Sequence, residues 1–356
     1  MSYAYAAISL ALLQTLSPSA ETRFLHEPDA GATAIVFVHG DELWTAPLEG
    51  GVASRVTAPP GKKSSPRLSP DGSKIAYSAE VGGNVDLYVS TVGGESFERL
   101  TYHPSADHVQ GWSPDGSLIL FGSNRVSDHF RPMLLTIDAS GGHPEPFPMH
   151  KAYRGAFSPD GQNLAYTPMQ DAFRTWKRYR GGQTTPIWLV DLDDFSHVEI
   201  PHQNASDTSP VWMGDEIYFL SDRNGVMSLF RYRVPSREVE EVLRNGSTDI
   251  DSLAGSHGRL AYASGGYVFL YDIQQNEARR VSITVPEEGD ELTARLRNVS
   301  HEVRLVALSP DGSEVVIEAH GEIATRSASG AFSNLTRSPG AADRGPAWSP
   351  DGRTIA

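Results

Sequence analysis

The stretch Ser69-Pro70-Asp71-Gly72-Ser73-Lys74-Ile75-Ala76-Tyr77-Ser78 decides the fold. Its first four residues carry turn chemistry. Proline presets φ for the second position of a type I turn, aspartate bonds the local backbone, and glycine accepts the positive φ that closes a hairpin. The residues that follow alternate apolar with polar or small, which reads as a strand. The same tetrapeptide returns at Ser113–Gly116, Ser158–Gly161, Ser309–Gly312 and Ser349–Gly352. Two weaker copies, at Trp212-Met-Gly-Asp-Glu-Ile-Tyr-Phe-Leu-Ser221 and Ser256-His-Gly-Arg-Leu-Ala-Tyr-Ala-Ser264, keep the form without the proline. The turns then start at positions 69, 113, 158, 213, 256, 309 and 349, with spacings of 44, 45, 55, 43, 53 and 40 residues. A turn and strands recurring about every 40–45 residues is the signature of propeller blades.

Each unit has the same grammar. Ile75–Ser78 is one strand and Asp86–Thr91 the next, Gly93-Gly94 turns the chain, and Phe97–Thr101 closes the unit. Arg55-Val-Thr57, Arg99-Leu-Thr101 and Asn334-Leu-Thr336 stand at the same place in three units. With the residues before each turn, this makes four strands per unit, as in a blade. The first unit opens at Ala34–His39, before any Ser-Pro-Asp-Gly, and its strands meet at His39-Gly40-Asp41. The fold class is all-β: a six-bladed β-propeller over residues 22–298, then the first blade or blades of a second, truncated propeller over 299–356. The two long spacings mark an excursion in the fourth unit and the passage from one ring to the next. The chain stops at Thr354-Ile-Ala356, where a strand is expected to continue, so a longer protein is expected. Residues 1–21 read as an apolar leader or disordered tail.

Composition bounds the function. A net charge of −14 argues against a nucleic-acid partner. There is no cysteine, which excludes disulfides and thiol catalysis. No run of 18 apolar residues follows the N-terminus, so no membrane span is expected. Tyr5–Leu13 resembles a short secretory h-region, but no Lys or Arg precedes it. Neither Gly-x-Ser-x-Gly nor His-Glu-x-x-His occurs, and the Asp-Gly pairs lack the alternating oxygen ligands and closing glutamate of a calcium loop. No catalytic residue, metal site or cofactor is expected in this chain.

The charged feature that stands out is Arg174-Thr-Trp176-Lys177-Arg178-Tyr179-Arg180, four cations and two aromatics in an acidic chain. Arginine forks pair with carboxylates and stack on aromatics, so the stretch suits a peptide carboxylate or a neighbouring domain. The other reading is a long excursion between strands, pinned by its aromatics, with solvated cations. Trp112, Trp212 and Trp348 precede equivalent turns and are expected to pack between blades.

Three stretches resemble the tricorn protease family: Ala34–Trp44, Trp176-Lys-Arg-Tyr-Arg-Gly-Gly182 with Ile187-Trp188, and Tyr218-Phe-Leu-Ser-Asp-Arg-Asn-Gly225. The resemblance extends from about Thr22 to Ala356. It implies a six-bladed propeller, a seven-bladed propeller, and then a split serine peptidase with a PDZ-like module. It also implies ATP-independent cleavage of short peptides, propellers that sieve and guide them, and a homo-oligomer with the hexamer as its unit. The family's catalytic Ser, His and Glu lie beyond both propellers, so none is carried onto this chain. A cytoplasmic location is implied, against export if residues 1–20 are a signal peptide. Two other classes use such blades: a non-catalytic binding propeller of the Tol envelope type, and the propeller of a prolyl oligopeptidase type hydrolase. The 174–180 excursion favours the tricorn family over both.

Overall fold

The computed structural model describes residues 21–56, 58–94, 96–126, 132–149, 151–170, 178–286, 302–336 and 342–356. It divides into two compact units, Met1–Glu287 and Glu288–Ala356. Among the described residues the first unit holds six four-stranded antiparallel sheets, each a simple meander in chain order. Their first strands are His26–Ala30, Lys62–Leu68, Asp107–Trp112, Arg154–Phe157, Asp207–Met213 and Ser252–Ser256.

The core lies between sheets, and the two-residue period of a strand explains how. In Ala34–His39, Val36 and Val38 face Ile75 and Tyr77 of the second sheet, while Ile35 and Phe37 face Ala261 and Val268 of the sixth. In Glu216–Ser221, Ile217 and Phe219 pack on Ile187 and Ile200 of the fourth sheet, and Tyr218 and Leu220 on Leu260 and Tyr262 of the sixth. Every second strand is therefore apolar on both faces. One such layer separates each consecutive pair of sheets, and the sixth packs on the first.

The ends of the unit are stitched together. Ile283–Thr284 pairs in parallel with Gly51–Val52. Gly51 N–H donates to Ser282 O, Ala53 N–H to Thr284 O and Thr22 N–H to Ile283 O, each at 2.8 Å. The segment after the sixth sheet thus forms a two-stranded pair with Gly51–Val52, beside the first sheet, and ties the two ends of the unit together.

The repeated tetrapeptide does more than turn the chain. Ser69 Oγ donates to Asp71 Oδ1 at 2.6 Å and accepts from Lys74 N–H at 2.9 Å, while Asp71 Oδ1 accepts from Ser73 N–H at 3.0 Å. The copies at Ser113, Ser309 and Ser349 repeat all three bonds. Gly72 has φ +71°, a conformation that favours glycine. Successive turns also touch: a Cβ on Gly116 would lie 3.5 Å from the Pro70 ring, and one on Gly161 3.8 Å from Pro114.

The second unit, described by itself, holds one four-stranded sheet, Val303–Leu308, Glu314–Ala319, Glu322–Ser327 and Phe332–Asn334, with the same turn at Ser309. Trp348 and Ile355 form an isolated bridge across the next such turn. Val306 and Leu308, on its first strand, are 57% and 62% exposed.

Candidate functional site

The first strands surround a bore. One cavity of about 380 Å³ is lined by all six of them, from Asp29 and Arg67 round to Leu253 and Ser256. A second, of about 540 Å³, reaches from the opposite side. The bore lining is shaped by bulges. Register shifts fall between His26 and Asp29, Ser64 and Arg67, Val109 and Gly111, and Thr208 and Val211. Three of the four bulges contain a residue with positive φ followed by proline: Glu27-Pro28, Ser65-Pro66 and Ser209-Pro210, with φ of +47°, +52° and +53°. Bulges re-aim side chains, and proline within a strand is confined to edges, strand starts and bulges.

At the turn end, Trp112, Phe157, Trp212 and Met213 line the bore. Trp112 Nε1 donates to the Arg67 carbonyl of the preceding sheet at 2.9 Å, and Trp348 Nε1 to Ala307 O at 3.3 Å. Each reaches back to the first strand of the preceding sheet, as its position in the repeat predicts. Trp212 differs: its Nε1 donates to Gly214 O of its own hairpin at 3.0 Å. The position before it in the ring is held by Phe157, and this hairpin is tightened around Gly214 without the Ser-Pro-Asp-Gly bonds.

Buried ion pairs brace the opposite ends of the first strands. Asp207 Oδ2 accepts from Arg223 Nη2 at 2.8 Å and lies 3.1 Å from His202 Nδ1. Asp107 is paired with Arg125 at the equivalent place in the third sheet. The buried Lys63 reaches Glu42 of the first sheet at 2.7 Å. Ser123-Asn-Arg125 and Ser221-Asp-Arg223, each following an aspartate that opens the first strand, are the sequence signal for the two arginine pairs.

Two sets of carboxyls titrate in opposite senses. Hydrogen bonds from Ser69 and Ser73 hold Asp71 down to about 2, and Asp115 and Asp311 are held down to about 2 by their own serines. The folded state holds these protons less tightly than the unfolded chain. Their contribution to stability is therefore complete above about pH 4 and is lost as pH falls toward 2. Asp29 is pushed up to about 6, mainly by burial, with Arg67 and the Leu68 N–H opposing. Its proton is held more tightly in the fold, so its contribution is complete below about pH 4 and is lost as pH rises through 6. Asp29→Asn keeps an acceptor for Leu68 N–H and removes the charge. Its urea midpoint is expected to gain on wild type between pH 4.5 and pH 7.5. Parallel curves for the two proteins would show that Asp29 is not buried as described.

Residues 22–277 match the family model for the tricorn protease N-terminal beta propeller domain. The chain belongs to the tricorn protease family. The tricorn protease homolog 1 of Streptomyces coelicolor is 30% identical over 269 residues, covering 73% of this chain and 25% of that protein. The tricorn protease of Thermoplasma acidophilum is 25% identical over 275 residues, again 73% of this chain and 25% of that one. The chain thus spans about a quarter of the length of these relatives. A crystal structure of the tricorn protease superposes with a TM-score of 0.68 at 19% identity, over 88% of this chain and 31% of that one, and supports the fold.

Within this tricorn propeller, Arg174, Trp176 and Lys177 lie outside the described residues. Arg178, Tyr179 and Arg180 are described, and the arginines are directed at the fifth sheet. Arg178 Nε donates to Gly225 O at 2.7 Å. Arg180 Nη1 donates to Asp222 Oδ2 at 2.9 Å and its Nη2 to Asp222 O at 2.7 Å. Asp222 Oδ1 in turn accepts from Ser206 N–H at 2.9 Å. The Tyr179 ring folds over Gly181, where a Cβ would stand 2.4 Å from its hydroxyl oxygen. Two of the stretches that carry the family resemblance, Trp176–Gly182 and Tyr218–Gly225, are therefore bonded to each other.

Proposed function

We propose that this chain is the N-terminal propeller part of a tricorn-like serine peptidase, and that its bore guides short peptides toward a peptidase site in other domains. The observation that carries the reading is the bore itself, lined by the first strands of all six sheets in a chain of this family. Such a lining offers an extended peptide main-chain and polar partners along its walls and apolar side chains at the turn end. On this reading the chemistry is attack of a serine on the peptide carbonyl with an oxyanion hole, supplied outside this chain. The sheet at Val303–Asn334 opens a second ring, which would cover its exposed Val306 and Leu308. The assembly is a homo-oligomer in the cytoplasm, as the family resemblance implies. Arg178 and Arg180 hold the fourth sheet's excursion against the fifth, and in this reading the stretch 174–180 binds a peptide carboxylate or docks a neighbouring domain. Saturable binding of short peptides, lost when the bore is plugged at Gly111, tests the proposal.

A further inference from the structure

The two cavities of the bore share five lining residues, Arg67, Gln110, Arg154, Ser209 and Leu253. Four are polar and none is acidic. Arg67 is fixed by its own donors, Nε to Gln110 O at 3.2 Å and Nη1 to Pro66 O at 2.7 Å, which orients the guanidinium. Arg154 stacks over Tyr153, 5.6 Å from its ring centre, and is near enough to Arg67 for the two cations to repel, an effect smaller than the attraction of Arg67 to Asp29 and Glu27. The nearby acids stand to either side of these five residues. Asp29 lines only one cavity, and Glu27, Glu80 and Asp251 line only the other; Asp29 accepts the Leu68 N–H and Glu27 the Ser65 N–H. Two guanidiniums, an amide and a hydroxyl around one constriction form a donor-rich setting for a carboxylate.

We propose that this waist is a carboxylate-binding site that selects acidic short peptides among those entering the bore. The inference rests on the bore being the peptide path, and it adds which peptides are retained there. A small ligand is required. The chain's net charge of −14 repels an extended polyanion, whereas inside the bore the fixed arginines act at short range.

The test is calorimetric titration of the full chain with two isosteric probes, N-acetyl-Ala-Glu-Ala-amide and N-acetyl-Ala-Gln-Ala-amide. The glutamate peptide is expected to bind at least about tenfold more tightly, as a charge-assisted bond does over its neutral isostere. In Arg154→Gln the ratio is expected to fall close to one, and Arg154→Lys to restore part of it. Inorganic phosphate is expected to displace the glutamate peptide and spare the glutamine peptide, a readout that stands even if Arg154→Gln fails to fold. Equal binding of the two peptides by wild type would overturn the waist site while leaving the bore as peptide path. A ratio that survives in folded Arg154→Gln would also overturn it. Binding of neither peptide would remove both readings, and binding of phosphate alone would mark a general oxyanion site and contradict the peptide claim.

Discussion

Replacing Asp207 with alanine is expected to destabilise the first unit by on the order of 3–5 kcal/mol, the loss seen when one partner of a buried ion pair is removed. Asp207 is fully buried, and its partner Arg223 has a side chain only 5% exposed. That guanidinium lies 5.5 Å from the Phe219 ring centre and 4.9 Å from that of Phe230, so it cannot turn to solvent without breaking the apolar layer between the fourth and fifth sheets. Without the carboxylate, Arg223 stays buried and uncompensated, and His202 loses the partner of its Nδ1. Asp207→Asn keeps the shape and an acceptor and should cost less. Urea denaturation of the two variants measures both effects. A loss below about 1 kcal/mol for Asp207→Ala would mean the pair is solvated, as surface pairs are.

The second large effect concerns ring closure. Gly50 has φ +90°, and a Cβ there would stand 2.4 Å from Ser282 O, the acceptor of the closing bond from Gly51 N–H. Gly51 has φ +106°, with nothing within 4 Å of its Cβ position. Both alanine variants carry backbone strain of about 1–2 kcal/mol, but only Gly50→Ala must also push Ser282 away. Gly50→Ala is therefore expected to lose more than about 3 kcal/mol, with hydrogen exchange at Gly51 and Ala53 accelerated. Gly51→Ala should show the strain alone. Equal effects at the two positions would mean that the chain does not close there.

The fold was legible because the same physical problem is solved at each blade. A second strand buried on both faces, such as Ile35–Val38 or Ile217–Leu220, has to be apolar throughout, and the turn before it has to hold a positive φ; both leave marks in the sequence. The weaker fifth and sixth turns were legible from their flanks, since Gly214 and Gly258 supply the positive φ without proline. The bore was much less legible. Its lining depends on bulges in the first strands, and a bulge shows as a one-residue change of register that no periodicity predicts. The proline of Glu27-Pro28, Ser65-Pro66 and Ser209-Pro210 was the available clue, because proline inside a strand has few other places to stand. The stretch 174–180 was conspicuous by its charge, yet what Arg178 and Arg180 bond is set by a turn more than forty residues later, a pairing that composition does not encode. Asp207 and Arg223 are 16 residues apart and brought together by the meander, and the Ser-x-Arg that ends the second strand in both the third and fifth sheets is the mark this pairing leaves.

A path for peptides through the bore has a direct test. Gly111 lines it, its φ lies outside the glycine-favouring region, and nothing stands within 4 Å of its Cβ position, so a tryptophan there enters the bore without straining the sheet. The decisive measurement is titration of wild type and Gly111→Trp with the same short peptide, with thermal denaturation run beside it. The account predicts saturable binding by wild type and loss of at least about tenfold in affinity for a Gly111→Trp protein that melts within a few degrees of it. Undiminished binding by the plugged protein would place the peptide elsewhere and contradict the account.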